Sequence, residues 1–193
     1  MVKQASFQSG VTTLEEPFFK LDNLNSYSQS FTSSYSSFKS PENDTVNSSV
    51  TECIFPPLEN LKCFEVVERQ YENIGVIFDN CIAIEPSNPA FPTHSGAIVL
   101  MSSHKSGLLE ATFVNPVKLV SAFVTSSQQL VLSAYDKSRQ LLGQAILPSG
   151  NLANSDSGLA PNTLLSISAK NIHAVSFHAF DGQFTVDDLS FCY

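Results

Sequence analysis

Short hydrophobic runs that alternate with polar residues follow one another along most of the chain. Leu130, Leu132 and Ala134, for example, share one face of a pleated strand, and the residues between them share the other. Turn-forming residues separate the runs, with no helical period between them. The pattern therefore predicts an all-β fold, either an antiparallel β-sandwich or a barrel. The predicted strands are 61–67, 74–78, 81–85, 97–101, 108–114, 119–125, 129–135, 141–147, 163–169, 172–180 and 184–193.

The first part of the chain has a different pattern. Segment 26–40 contains eight serines in fifteen residues. Such a stretch buries too little apolar surface to offset the entropy lost on ordering. Pro56 and Pro57 then favour an extended backbone. We therefore predict an extended or disordered arm and linker over residues 1–57, followed by the β-sandwich domain over 58–193.

An aromatic stripe within the arm leaves a second interpretation open. Tyr27, Phe31, Tyr35 and Phe38 are spaced by four, four and three residues, which is a helical period. Serine is a mediocre helix former, so an isolated helix is not expected. The alternative is a segment that becomes ordered when it docks on a protein partner, on another copy or on its own domain.

Composition narrows the classes of function. The chain has 193 residues, of which 42 % are hydrophobic, and its formal net charge is −8. An acidic chain is poorly suited to phosphate backbones, so nucleic-acid binding is not expected. No apolar run reaches the roughly 20 residues that span a bilayer. The N-terminus shows no signal-peptide pattern, which gives a cytoplasmic location as the default expectation.

Four cysteines, Cys53, Cys63, Cys81 and Cys192, are widely and irregularly spaced. The absence of a CxxC pair argues against a zinc site. Without an export signal we expect four reduced thiols that behave as small hydrophobic residues. If one disulfide forms, Cys63 and Cys192 are the candidate pair.

Two adjacent acids interrupt the final predicted strand. Its apolar positions change from even to odd numbers across Asp187 and Asp188, and such a change of phase needs a bulge. In the first strand, Glu65 lies between Phe64 and Val66. If the two chain ends of the sandwich meet, Glu65 and one of the aspartates lie side by side, where a cation or a proton would relieve their repulsion.

Carboxylates and loop carbonyls are the ligands that Ca²⁺ prefers. Glu65, Asp187 and Asp188 are therefore the candidate metal ligands. The alternative, which the sequence leaves open, is that Glu65 is simply exposed and that both aspartates accept hydrogen bonds from a neighbouring loop.

Two long loops, 85–95 and 148–162, are the expected place for ligand contacts, because binding usually resides in loops on a rigid scaffold. Asn88, Phe91 and His94 in the first loop are the candidate ligand-binding residues. Adjacency of His94 and Ser95 in the chain does not supply the geometry of a catalytic dyad. No Gly-x-Ser-x-Gly, HExxH or phosphate-loop pattern occurs, so we expect no catalytic site.

Several pieces, in this order along the chain, carry a resemblance to a known family. They are Phe64-Glu65, Ile74-Gly75-Val76-Ile77-Phe78, Pro92-Thr93-His94-Ser95-Gly96, Phe113-Val114-Asn115-Pro116-Val117, Leu132-Ser133-Ala134-Tyr135-Asp136 and the segment 184–191. Residues 61–193 resemble a bacterial, often cyanobacterial, jelly-roll module found among proteins sorted through a C-terminal PEP motif. That module is similar to galactose-binding-like folds and to β-sandwich carbohydrate-binding modules.

The resemblance implies a non-catalytic binding module for carbohydrate or another polar surface ligand. It also implies a structural Ca²⁺ shared by the opening Phe-Glu and the closing Asp-Asp, and a location at the cell surface. The chain has no tryptophan for stacking on sugars, so tyrosine and phenylalanine would have to serve. The alternative function is a structural or assembly protein that docks through its N-terminal arm.

Overall fold

The computed structural model describes residues 52–103 and 107–193. The aromatic stripe of the predicted arm lies outside these residues. Ten strands form within the described part of the chain, together with two short 3₁₀ helices over Leu58–Asn60 and Glu72–Ile74. The strands are β1 (Cys53–Ile54), β2 (Val66–Val67), β3 (Val76–Asp79), β4 (Cys81–Ile84), β5 (Val99–Ser102), β6 (Leu108–Ser126), β7 (Leu130–Tyr135), β8 (Leu141–Leu147), β9 (Thr163–His178) and β10 (Phe184–Cys192).

All strand pairs are antiparallel, which confirms the predicted all-β fold class. The long strands β6 and β9 pair with each other and run through both layers of the sandwich. In the first layer the order is β3-β6-β9-β7-β8, and in the second it is β2-β4-β5-β10-β6-β9. β1 pairs with the end of β10. The two layers are therefore joined by hydrogen bonds into one folded sheet.

β6 and β9 each join two segments that the sequence predicted as separate strands. The expected turn at Asn115-Pro116 is instead a bend inside β6, where the register with β9 shifts between Thr112 and Val117. Proline has no N–H and interrupts the ladder locally without ending the strand. In β9, Asn171 has a left-handed φ of 62°, a conformation that asparagine tolerates better than most residues.

The core lies between the two layers. The rings of Phe113 in the first layer and Phe191 in the second have centroids 5.0 Å apart. A Cβ placed on Gly143 of β8 would lie 3.5 Å from Cδ1 of Ile167 in β9, so the layers approach closely there. Burying each large side chain contributes about 1.5–3 kcal/mol. The largest fully buried side chains are Phe177, Phe184, Phe191, Leu100, Leu109, Leu130, Leu132, Leu147, Ile172 and Leu189.

A disulfide joins Cys53 of β1 to Cys192 of β10, which are direct partners across the strand pair. Two expectations were therefore wrong: the cysteines are not all reduced, and Cys192 does not pair with Cys63. Cys63 is an exposed free thiol, and Cys81 is a buried one, whose pKa is raised by desolvation. Among the described residues, the first strand thus begins at Cys53, inside the segment that the sequence assigned to the arm and linker.

Within the described residues, no helix has the length and apolar character needed to cross a membrane.

Replacing Cys53 with serine should destabilise the domain, because the disulfide closes a loop of 139 residues in the unfolded chain. Disulfides of this kind typically contribute about 2–4 kcal/mol. Chemical denaturation should show this loss for Cys53→Ser and close to no loss for Cys63→Ser, the matched control. Thiol titration of the unfolded, unreduced protein should find two of the four cysteines reactive. Four reactive thiols, or equal stability of the two variants, would contradict the pairing.

Candidate functional site

The loop between β4 and β5 is fastened to the bulge in β10. Oδ2 of Asp187 accepts hydrogen bonds from the backbone N–H groups of His94 at 2.7 Å and Ser95 at 3.2 Å. Asp187 is only 3 % exposed, and a buried carboxylate needs such donors. The loop and the strand therefore satisfy each other's polar groups.

Asp188 adds a second pair of contacts at the same place. Its carboxylate accepts from the hydroxyl of Ser95 at 2.6 Å and lies 2.6 Å from Nδ1 of His94. The imidazole of His94 stacks on Phe123 of β6, with ring centroids 3.5 Å apart. Asp188 has a φ of 44°, and the register of β10 shifts between Asp187 and Ser190. The bulge that the sequence predicted is thus present, and it turns both carboxylates toward the loop.

Glu59 holds the other side of this loop. Its Oε1 accepts from the backbone N–H groups of Ala97 at 2.9 Å and Ile98 at 3.0 Å. Both bonds lower the pKa of the Glu59 carboxyl group, and the bond from Ile98 has the larger effect. Gly96 has a left-handed φ of 57°, and a Cβ there would collide with the Glu59 side chain. Only glycine therefore fits between the two anchors without a shift.

Asp187 itself has a raised pKa. Desolvation by burial is the main cause, and the charge of Asp188 acts in the same direction. The N–H groups of His94, Ser95 and Asp188 oppose this effect without overcoming it. The three N–H groups thus offset only part of the cost of burying this carboxyl group.

Glu65 does not lie beside the two aspartates, and the predicted convergence of the three carboxylates was wrong. Ala83 N–H donates to the Glu65 carbonyl, Ala83 pairs with Leu100, and Leu100 pairs with Val186. Glu65 is thus three strand spacings, about 14 Å, from β10. The sequence could not reveal that β4 and β5 lie between the chain ends.

The carboxylate of Glu65 accepts hydrogen bonds from Lys62 N–H at 2.9 Å and from the side-chain amide of Gln70 at 3.0 Å. The bond from Lys62 is the largest cause of its lowered pKa. Among the described residues, no group of three histidine, cysteine or acidic side chains could hold a metal ion. The set of Glu65, Asp187 and Asp188 therefore does not fit one shared Ca²⁺. Ca²⁺ binding therefore stays a prediction, and the described residues offer no set of ligands for it.

A groove of about 250 Å³ lies between β4, β5 and the start of the long loop. Asn88 and Phe91, two of the predicted ligand-binding residues, line it, whereas His94 is not among its lining residues. Glu85 and Gln183 provide further polar groups. A second depression of about 430 Å³ continues from the groove and shares Ile82, Met101, Gln183 and Phe184 with it. The site is therefore an elongated surface rather than a closed cavity.

Phe64 is the groove residue that sequence reasoning missed. Phe64 was noted only as a neighbour of Glu65, yet its side chain is 78 % exposed, and that of Val66 is 56 % exposed. Phe64 has a left-handed φ of 67°, and its N–H donates to the Ala83 carbonyl at 2.7 Å. A bulky residue in this conformation is strained, and such strain clusters at functional sites.

The second predicted loop, 148–162, braces the first. Ala153 N–H donates to the carbonyl of Ala90 at 3.0 Å, and the Asn162 amide donates to the carbonyl of Pro92 at 3.2 Å. This loop is not among the lining residues of the groove. Its role in the site is therefore to support the loop that carries Asn88 and Phe91.

No protein-family model and no curated protein matches this sequence. Several solved structures are similar at low identity. TmCBM61 in complex with β-1,4-galactotriose is 12 % identical over 61 % of this chain and 86 % of that chain, with a TM-score of 0.34. A DUF4465 family protein from Bacteroides caccae is 8 % identical over 78 % and 96 %, with a TM-score of 0.43.

The arabinose-bound α-L-arabinofuranosidase MgGH51 is 13 % identical over 66 % of this chain, which spans 24 % of that enzyme, with a TM-score of 0.38. With TM-scores below 0.5, these similarities are too weak to assign a function. A function has to come from the residues of this chain.

Replacing Asp187 with asparagine should loosen the loop, because an amide nitrogen then takes the place of one acceptor oxygen. Hydrogen bonds to a charged group are worth about 1.5–3 kcal/mol each. We expect a lower melting temperature and faster hydrogen exchange at the amides of His94 and Ser95. Asp156→Asn, in an exposed part of loop 148–162, is the control and should change neither. Unchanged exchange in Asp187→Asn would show that the carboxylate does not hold the loop.

Replacing Glu59 with glutamine should make the domain less sensitive to acid. A carboxyl whose pKa is lower in the folded state stabilises the fold above its unfolded pKa and loses that contribution as pH falls through the folded value. Glu59→Gln should therefore melt at a lower temperature than the parent at neutral pH. This difference should begin to shrink as pH falls below 4.5 and should vanish once pH is below the lowered pKa of the folded state. Glu68→Gln, at an exposed position, is the control for melting across the same pH range.

Proposed function

We propose that this chain is a non-catalytic carbohydrate-binding module, whose glycan lies in the groove beside Phe64. The observation that carries the proposal is the exposed Phe64 ring, 78 % accessible, at a groove that also holds Asn88 and Gln183. Exposing a large apolar ring in water is unfavourable, and such a ring beside polar groups marks a binding surface.

The chemistry of the lining suits a sugar. A sugar ring presents apolar C–H faces and a rim of hydroxyl groups. Phe64 and Phe91 offer flat apolar surfaces to the faces. The amides of Asn88 and Gln183 can both donate to and accept from hydroxyls, and Glu85 can accept. A mostly apolar site with a few polar groups is typical of small-ligand binding.

The anchored loop supports binding without large reordering. Asp187, Asp188 and Glu59 fix the loop through backbone and side-chain hydrogen bonds. A ligand that meets a fixed loop loses less affinity to ordering than one that must fold the loop around itself.

The same contacts favour binding over catalysis. Ser95 donates its hydroxyl to Asp188 rather than to His94, so these residues do not form a serine–histidine dyad.

A surface or extracellular location agrees with this function. Disulfides persist mainly in oxidising compartments, and Cys53 and Cys192 form one. The alternative function, assembly through the aromatic stripe of segment 26–40, concerns residues outside the described part of the chain and stays a prediction.

Replacing Phe64 with alanine should weaken glycan binding by about tenfold or more while the fold is kept. The ring is exposed, so its loss removes a contact surface and no core packing. The measurement is a screen of the protein against immobilised neutral polysaccharides, followed by titration calorimetry with soluble fragments of those that bind. Phe180→Ala, which removes a ring 76 % exposed outside the groove, is the matched control. Absence of binding to every polysaccharide, or equal affinity of both variants, would refute the proposed function.

A further inference from the structure

The first layer of the sandwich carries another depression, of about 360 Å³, which shares no lining residue with the groove or with the depression that continues from it. A row of polar side chains crosses it at one register position of four adjacent strands. Glu110 of β6 pairs with Ser176 of β9, and Ser176 pairs with Ser133 of β7, which in turn pairs with Gln144 of β8. We call these four residues the polar row.

The depression has a floor of small residues and a rim of long ones. Ser133 and Ser176 are each 5 % exposed. Tyr135, Gln144 and His178 line the same depression. Small hydroxyl side chains in the middle of a sheet face, between larger neighbours, create a trough where bulky β-branched residues would give a filled surface.

The polar row contains both hydrogen-bond donors and hydrogen-bond acceptors. The Gln144 amide donates to the hydroxyl of Ser133 at 3.0 Å. The Tyr135 hydroxyl lies 3.4 Å from that of Ser176. An amide has two N–H donors and a carbonyl acceptor, and each hydroxyl both donates and accepts. The row therefore matches a ligand that itself carries many hydroxyl groups.

Arg139 contacts two residues that line the trough, Glu110 and Tyr135. It lies in the turn between β7 and β8, where the Asp136 carboxylate accepts from Ser138 N–H at 2.8 Å and from Gln140 N–H at 2.9 Å. Its guanidinium pairs with Glu110 at 2.8 Å and lies 6.0 Å from the centre of the Tyr135 ring. The ion pair neutralises the acid of the polar row.

Arg139 also has a left-handed φ of 62°. This conformation is costly by about 1–2 kcal/mol for a residue with a Cβ, and a hairpin turn usually places glycine there. Strain of this kind persists where the surroundings fix it, and it is concentrated at ligand sites. Here it lets a long cationic side chain reach back across the sheet face to Glu110.

We propose that this trough is a second binding site, for an uncharged, hydroxyl-rich ligand such as a stretch of neutral polysaccharide. An anionic or cationic ligand would meet a pair, Glu110 and Arg139, whose charges already cancel. Tyr135 supplies an aromatic surface beside Arg139, and the polar row supplies hydrogen bonds along the trough. This site does not depend on the groove, and two sites on one chain would raise the avidity for a polymer.

The test is an NMR titration of the full-length protein with linear neutral hexasaccharides of glucose, galactose, mannose or xylose. At least one should shift the amide resonances of Ser133, Gln144 and Ser176. Arg139→Gly should weaken this binding about tenfold. The variant should not lower the melting temperature, because glycine adopts a left-handed φ without strain. Lys137→Ala, in the same turn, is the control and should bind like the parent.

The outcomes separate the two sites. Shifts at the polar row that persist in Phe64→Ala support the second site, whatever happens at the groove. Shifts confined to Asn88 and Phe91 would leave the proposed function intact and overturn the second site. Absence of any shift at the polar row with all four sugars would overturn it as well. Shifts there that follow protein concentration without sugar would assign the face to self-association instead.

Discussion

The buried carboxylate of Asp187 is the contact on which the candidate groove depends. A carboxylate this poorly exposed is costly unless several N–H groups point at it, and the bulge of β10 leaves only the β4–β5 loop to supply two of them. The loop is held from its other side by Glu59. Between these anchors the backbone has little freedom. Asn88 and Phe91 precede the anchors in the same loop, so they lie on a loop that is fixed at one end.

The alternation of apolar and polar residues was enough to predict the all-β fold, and the change of phase at Asp187 and Asp188 was enough to predict the bulge. Both are local properties of the chain. The loop that carries Asn88 and Phe91 could also be located, because three prolines in 85–95 exclude a strand. These features require no knowledge of which strands are neighbours.

The errors over Glu65 and over the disulfide concern strand order. Glu65 was placed beside Asp187 on the assumption that the chain ends meet, but β4 and β5 lie between them. The chain end that does reach β10 is β1, a strand of two residues, too short to give any alternating pattern. This is why Cys53, rather than Cys63, pairs with Cys192. Phe64 was not among the predicted ligand-binding residues, because nothing in the sequence shows that the turn before β2 leaves this ring outside the core.

At each of these surfaces, one side chain is oriented by the left-handed backbone conformation of its own residue. Phe64 presents its ring at the groove, Asp188 turns its carboxylate to His94, and Arg139 reaches over Tyr135; their φ values are 67°, 44° and 62°. Backbone hydrogen bonds to Ala83 and Asp136 hold Phe64 and Arg139 in place. Such conformations are unfavourable for residues with a Cβ, so the free energy of the sandwich has to offset them. A rigid antiparallel frame with one continuous core can do so, whereas a flexible loop would relax to ordinary φ values and lose the direction of each side chain.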